Sequence, residues 1–144
     1  MKLFNNKYME LAIAEAEQCL EAEVPVGCVI VSNAGEVLAV AGNSMISTCD
    51  PTAHAEILAI RAACSAAGNY RLDGCSIFIT LEPCAMCMEA IKLARIENVY
   101  FGAYSFKDSA SWSPNIIGGF YEKECGEILD RFFQSKRKSV IIKS

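Results

Sequence analysis

Four residues of this chain have types and spacing suited to chemistry. They are His54, the only histidine, in "PTAHAEILAI" (51–60), Glu56 two residues later, and Cys84 and Cys87 in "LEPCAMC" (81–87). Pro83 is suited to the first turn of a helix, so a spacing of three puts both thiols on one face of that turn. Backbone N–H groups at a helix start favour the thiolate, the form that binds metal. Haem attachment is excluded because Met88, not histidine, follows Cys87. A redox dithiol has only the Cys-x-x-Cys spacing behind it, whereas zinc has a third donor available in His54.

One histidine and two cysteines leave a tetrahedral ion one open position, which is the arrangement of catalytic rather than structural zinc. Cys49, the cysteine nearest His54 in sequence, is the residue that would close the site and make it structural. Two thiolates already offset the charge of a dication, so bound water is acidified less than in an all-histidine site and a nearby base is needed. Glu56, in the apolar setting of Ala53, Ala55 and Ile57, is the candidate base. Residues two apart on a helix point to nearly opposite sides. His54 and Glu56 therefore serve one site only if it lies beyond the N-terminal end of their helix.

The elements that position these residues are readable from periodicity. Met9, Ala12, Ile13, Ala16 and Leu20 recur at helical spacing. "VGCVIV" and "VLAVA" read as strands joined by the turn "SNAGE", and "GNSMISTCD" reads as a loop. Asp50 and Pro51 suit the N-cap and first position of a second helix ended by Gly68. "SIFIT" is a third strand, Pro83 to about Ala94 a third helix, and "NVYFGAY" a fourth strand. That order implies parallel pairing through a right-handed crossover, with two helix starts meeting at the carboxyl edge of the sheet. "NIIGG" offers a short fifth strand, and a last helix runs from Tyr121 to about Gln134.

At 144 residues the chain is expected to form one domain, 1–144. No apolar run approaches membrane-helix length and the N-terminus lacks a signal-peptide core, so a cytoplasmic protein with no membrane partner is expected. The eight cysteines are expected to be mostly reduced thiols. Cys19, Cys28, Cys64 and Cys125 fall on apolar faces, where a thiol is a small hydrophobe. A net charge of −4 argues against gripping nucleic acid by bulk charge. Its distribution is uneven, however: Arg131, Lys136, Arg137, Lys138 and Lys143 crowd residues 131–144, where there is no carboxylate. That end suits either a solvated helix terminus or a phosphate contact.

"HAE" followed by "PCAMC" resembles the zinc deaminase signature. The resemblance extends through "EVPVGCVIV", "GNS", "DPTAHAEILAI", "NYRLDG", "TLEPCAMC", "RIENVYFGA" and "ILDRFF" to the bacterial tRNA-specific adenosine deaminases. It implies an α/β fold, the three-layer cytidine deaminase-like architecture, with a mixed central sheet and helices on both faces. By position, His54, Cys84 and Cys87 would hold one zinc ion per subunit and Glu56 would shuttle protons. Asn43 would hydrogen-bond the base, while Val24, Pro25 and Ala55 would line its pocket. Of Phe132 and Phe133, one would pack in the core and the other, assigned to Phe133, would contact a nucleotide.

The activity implied is conversion of the wobble adenosine of a tRNA anticodon to inosine, by a homodimer that takes the anticodon stem-loop as its substrate partner. The chain departs from the family pattern after "FGA", reading Tyr104, Ser105, Phe106 and Lys107 where the family places a substrate-side Asp. Its 108–120 segment is also shorter, with Trp112 and Ser113 expected to cover a hydrophobic edge. The alternatives are a deaminase of free guanine or cytosine and, from another class, a non-catalytic zinc-binding module.

Overall fold

A computed structural model describes residues 6–105 and 115–143, with side chains as far as Arg137. Trp112 and Ser113 lie outside the described residues. The elements in chain order are α1 (Asn6–Cys19), β1 (Gly27–Val31), β2 (Val37–Gly42), α2 (Met45–Thr48), α3 (Ala55–Ala67) and β3 (Ser76–Leu81). They continue with α4 (Ala85–Leu93), β4 (Asn98–Ala103), β5 (Ile116–Ile117) and α5 (Glu122–Lys143).

The five strands form one mixed sheet in the order β2-β1-β3-β4-β5. β1 is antiparallel to both β2 and β3. β3, β4 and β5 run parallel, with Phe78 opposite Tyr100. Strands buried on both faces read as near-continuous apolar runs, as β1 does in "GCVIV" and β3 in "SIFITL", where Ser76 and Thr80 are the two buried polar positions.

Alternation then sorts each strand between two cores. Cys28, Ile30, Ile77, Ile79, Val99 and Phe101 pack with Ala55, Ala59, Ala63, Met88 and Ile91 from α3 and α4. Val29, Val31, Phe78 and Tyr100 pack on the opposite face with Tyr8, Met9 and Ala12 from α1 and Cys125 from α5. Phe78 and Tyr100 stack with ring centroids 4.9 Å apart. Each large side chain buried this way contributes about 1.5–3 kcal/mol. Helices on both faces complete the three-layer α/β fold expected from the sequence.

α1 lies unusually close to β1 because small residues face each other. A Cβ at Gly27 would overlap the Ala12 carbonyl, and Ala12 and Ala16 are fully buried. Gly27 N–H donates to Thr80 Oγ1 of β3 at 3.1 Å, tying the start of β1 to the end of β3.

Four expectations are corrected. Asp50 does not cap α3; its Oδ1 accepts from Thr52 N at 2.9 Å and Thr52 Oγ1 at 2.7 Å, closing an Asx turn before the helix. α3 therefore starts at Ala55, and α4 likewise starts at Ala85, two residues after Pro83. The expected loop 42–50 contains the short helix α2, and α5 continues to Lys143 rather than ending near Gln134. Among the described residues no helix is long and apolar enough to cross a membrane.

Candidate metal centre

His54 and Cys84 are the N-cap residues of α3 and α4, both with extended backbone (φ −70°, ψ 151° and φ −74°, ψ 173°). An N-cap side chain commonly bonds the N–H groups of its own helix, but neither of these does. Instead they meet each other. His54 Nδ1 stands 3.7 Å from Cys84 Sγ and 3.5 Å from Cys87 Sγ.

The donor atoms of these three residues all lie within 4.8 Å of one another. Tetrahedral zinc bonds of about 2.3 Å to sulfur and about 2.0–2.1 Å to nitrogen require N···S separations of about 3.6 Å, so the donor set fits zinc as it stands. Among the described residues this is the one such cluster, and Cys49 is not part of it. Cys49 is exposed at the C-cap of α2, which removes the residue that would have closed the site.

The electrostatics favour a bound cation. Burial pushes the Cys87 thiol well above its ordinary value, and the neighbouring Glu56 and Cys84 push it further. Burial lowers the His54 pKa, which favours the neutral imidazole that a metal requires. Burial raises Glu56 to about 7, against the opposing pull of hydrogen bonds from its own backbone N–H and from Cys87. Two thiols and a carboxyl packed round an imidazole, with no Lys or Arg among the described residues that line the space, form a site that positive charge would stabilise.

Above this cluster is a cavity of about 180 Å³ lined by Val24, Asn43, Met45, Glu56, Glu82 and Ser105, among others. Asn43, only 6% exposed, donates from Nδ2 to the Val24 carbonyl at 2.9 Å and accepts at Oδ1 from Ala55 N–H at 2.8 Å. Glu82 Oε1 accepts from Ser105 N–H at 2.9 Å, joining the carboxyl ends of the parallel strands β3 and β4.

His54, Glu56, Cys84, Asn43 and Val24 thus converge on one cavity, and Cys87 is buried against His54 without lining it. Pro25 and Ala55 are buried and do not line it. Phe132 is buried on the core side, while Phe133 is 46% exposed on α5 and does not line the cavity either. Met45 and Glu82 were not found from sequence, whereas Ser105 falls in the stretch where the chain departs from the family's substrate-side pattern. The strand end "ITLEP" was the available signal for Glu82, since its side chain emerges where the sheet opens.

Residues 3–103 match the family described as the cytidine and deoxycytidylate deaminase zinc-binding region. The chain belongs to this zinc-binding deaminase family. Within it, a tRNA-specific adenosine deaminase of Agrobacterium fabrum is 44% identical, over 90% of this chain and 94% of the relative. A solved structure from a study of A-to-I editing by tRNA:A34 deaminases at the wobble position of transfer RNA has a TM-score of 0.81 and 41% identity. It covers 86% of this chain and 99% of its own. A guanine deaminase structure from Bacillus subtilis is 38% identical with a TM-score of 0.66, over 71% of this chain and 66% of that one.

Proposed function

We propose that this protein hydrolyses the wobble adenosine of a tRNA anticodon to inosine, releasing ammonia. The observation that carries the reading is buried Glu56 beside His54, Cys84 and Cys87 at one cavity, in a chain 44% identical to a tRNA-specific adenosine deaminase. At about 180 Å³ the cavity is below the roughly 300–1,000 Å³ of drug-sized sites, so it takes a base turned out of a loop and leaves ribose and phosphates outside. An anticodon loop presents its bases unpaired, which keeps that turning out inexpensive.

His54, Cys84 and Cys87 hold zinc, which when bound supplies the Lewis acidity that makes water a nucleophile at neutral pH. Glu56 does the proton work. It takes a proton from the water that adds to C6 and delivers it to ring N1. It then takes the proton of the new C6 hydroxyl and passes it to the exocyclic nitrogen, so that the C6–N bond breaks, ammonia leaves and the C6 carbonyl forms. Burial alone raises the Glu56 carboxyl, and a cation held by His54, Cys84 and Cys87 would pull it back toward the carboxylate that takes the proton from water. Asn43 keeps one amide N–H beyond its bond to Val24, available to a base acceptor. Phe133 contacts a neighbouring nucleotide, and the basic end of α5 meets phosphates.

The 144 residues act as one domain in a homodimer, a reading that rests on the resemblance to the tRNA-specific adenosine deaminases. The likeness to a guanine deaminase supports a second reading, deamination of a free base at the same centre. Ammonia release from the zinc-loaded protein separates the two. An anticodon stem-loop with adenosine at the wobble position reacts while guanine, cytosine and cytidine stay silent; turnover of a free base with the stem-loop untouched would favour the second reading.

A further inference from the structure

Glu23 ends the segment after α1, is only 4% exposed, and takes no part in the proton chemistry above. Its two oxygens reach across to α2, with Oε1 accepting from Ile46 N–H at 2.9 Å and Oε2 from Ser47 N–H at 2.8 Å. These are the N2 and N3 positions, whose N–H groups an N-cap side chain ordinarily takes. The local N-cap, Ser44, makes no side-chain cap bond, and its Oγ donates instead to the Gly42 carbonyl at 3.3 Å. A distant buried carboxylate has replaced the local cap, and charge-assisted bonds of this kind are stronger than neutral ones.

What this carboxylate holds is the cavity wall. Asn43 and Met45 line the cavity immediately before and at the start of α2, while Val24, adjacent to Glu23, accepts the Asn43 amide and lines it too. Glu23 and Val24 thus clamp the 43–47 segment from two directions.

We propose that Glu23 is a positioning residue for deamination, acting through Asn43 by fixing the segment that presents the Asn43 amide to the base. This rests on the assignment of Asn43 to base binding. Because Glu23 touches neither the ligand cluster nor the reacting atoms, its loss leaves zinc in place.

The test is a double-mutant cycle of Glu23→Gln and Asn43→Ala, read as kcat and KM on the anticodon stem-loop together with zinc content. Expected are one zinc per chain in E23Q and about a tenfold loss of kcat/KM, against less than about a twofold further loss when the change is made in N43A. A full tenfold penalty in the N43A background, loss of zinc from E23Q, or wild-type kinetics in E23Q would each overturn the proposal. If E23Q does not fold, Glu23→Asp, which keeps the charge on a shorter reach, goes through the same cycle under the same criteria. A wild-type protein silent on the stem-loop but active on a free base would sink the tRNA reading. The cycle run on that base would then judge Glu23 separately.

Discussion

Asn43 Oδ1 accepts the Ala55 N–H at 2.8 Å, so a residue beyond the end of the β1–β2 hairpin holds the first residue of α3, directly beside His54. The first helical N–H groups have no partner within their own helix, and a buried one left unpaired costs on the order of 1–3 kcal/mol. Asn43→Ala removes that acceptor and also the bond to the Val24 carbonyl. It should destabilise the protein by about 2–3 kcal/mol, seen as a lower urea midpoint with an unchanged slope.

The metal ligands should behave as a unit. His54→Ala, Cys84→Ala and Cys87→Ala are each expected to reduce bound zinc from one per chain to a small fraction by elemental analysis, with activity lost in parallel. Cys49→Ala should leave zinc content unchanged, because Cys49 lies outside the cluster.

Glu56→Gln separates catalysis from metal binding. It should keep zinc and fold while lowering kcat by about 10²–10⁴, the usual contribution of a positioned acid–base group. A variant that kept full turnover would point to a different proton carrier.

The acid limb of stability should report Glu23. Burial pushes its carboxyl up, but hydrogen bonds from the α2 backbone outweigh burial and leave it below the ordinary value of 4.5. A depressed carboxyl stabilises the fold above the unfolded value, and that contribution is lost as pH falls through the folded one. The stability gap between wild type and Glu23→Gln, measured by urea titration, should therefore be full near pH 7 and shrink as pH drops below about 4.5. A gap that stayed constant or widened in acid would contradict this.

Much of the centre was legible because its signals are local. Cys84 and Cys87 share a helix turn, the parallel β3–α4–β4 unit places that turn at a sheet edge, and His54 with Glu56 had to lie at a helix start to share a site. The shifted start of α3 was not legible, since Asp50-Pro51-Thr52 satisfies both a helix cap and an Asx turn, and the turn prevails. The two bonds of Glu23 to α2 span 23 and 24 residues, and those of Asn43 span 19 and 12. No periodicity records such contacts, which form only when the segments around Val24, Asn43 and Ala55 are brought together. α5 runs past Gln134 through a stretch with no apolar stripe, where helical spacing gives no signal.

Binding of tRNA should depend on salt through the basic end. Arg137 is exposed, and Lys136 lies over the Phe132 ring at 5.4 Å from its centroid. Replacing both with alanine should weaken binding uniformly across tRNA sequences. It should also lower the slope of log K against log salt by about 1–2, one for each phosphate contact removed.

The most direct test maps inosine in a full-length tRNA carrying adenosine at the wobble position, after incubation with zinc-loaded wild type or with Glu56→Gln. Wild type should convert that adenosine alone, read as guanosine on reverse transcription, and the variant should leave it intact. An unmodified wobble position with the wild-type protein, at full zinc occupancy, would contradict the proposed function.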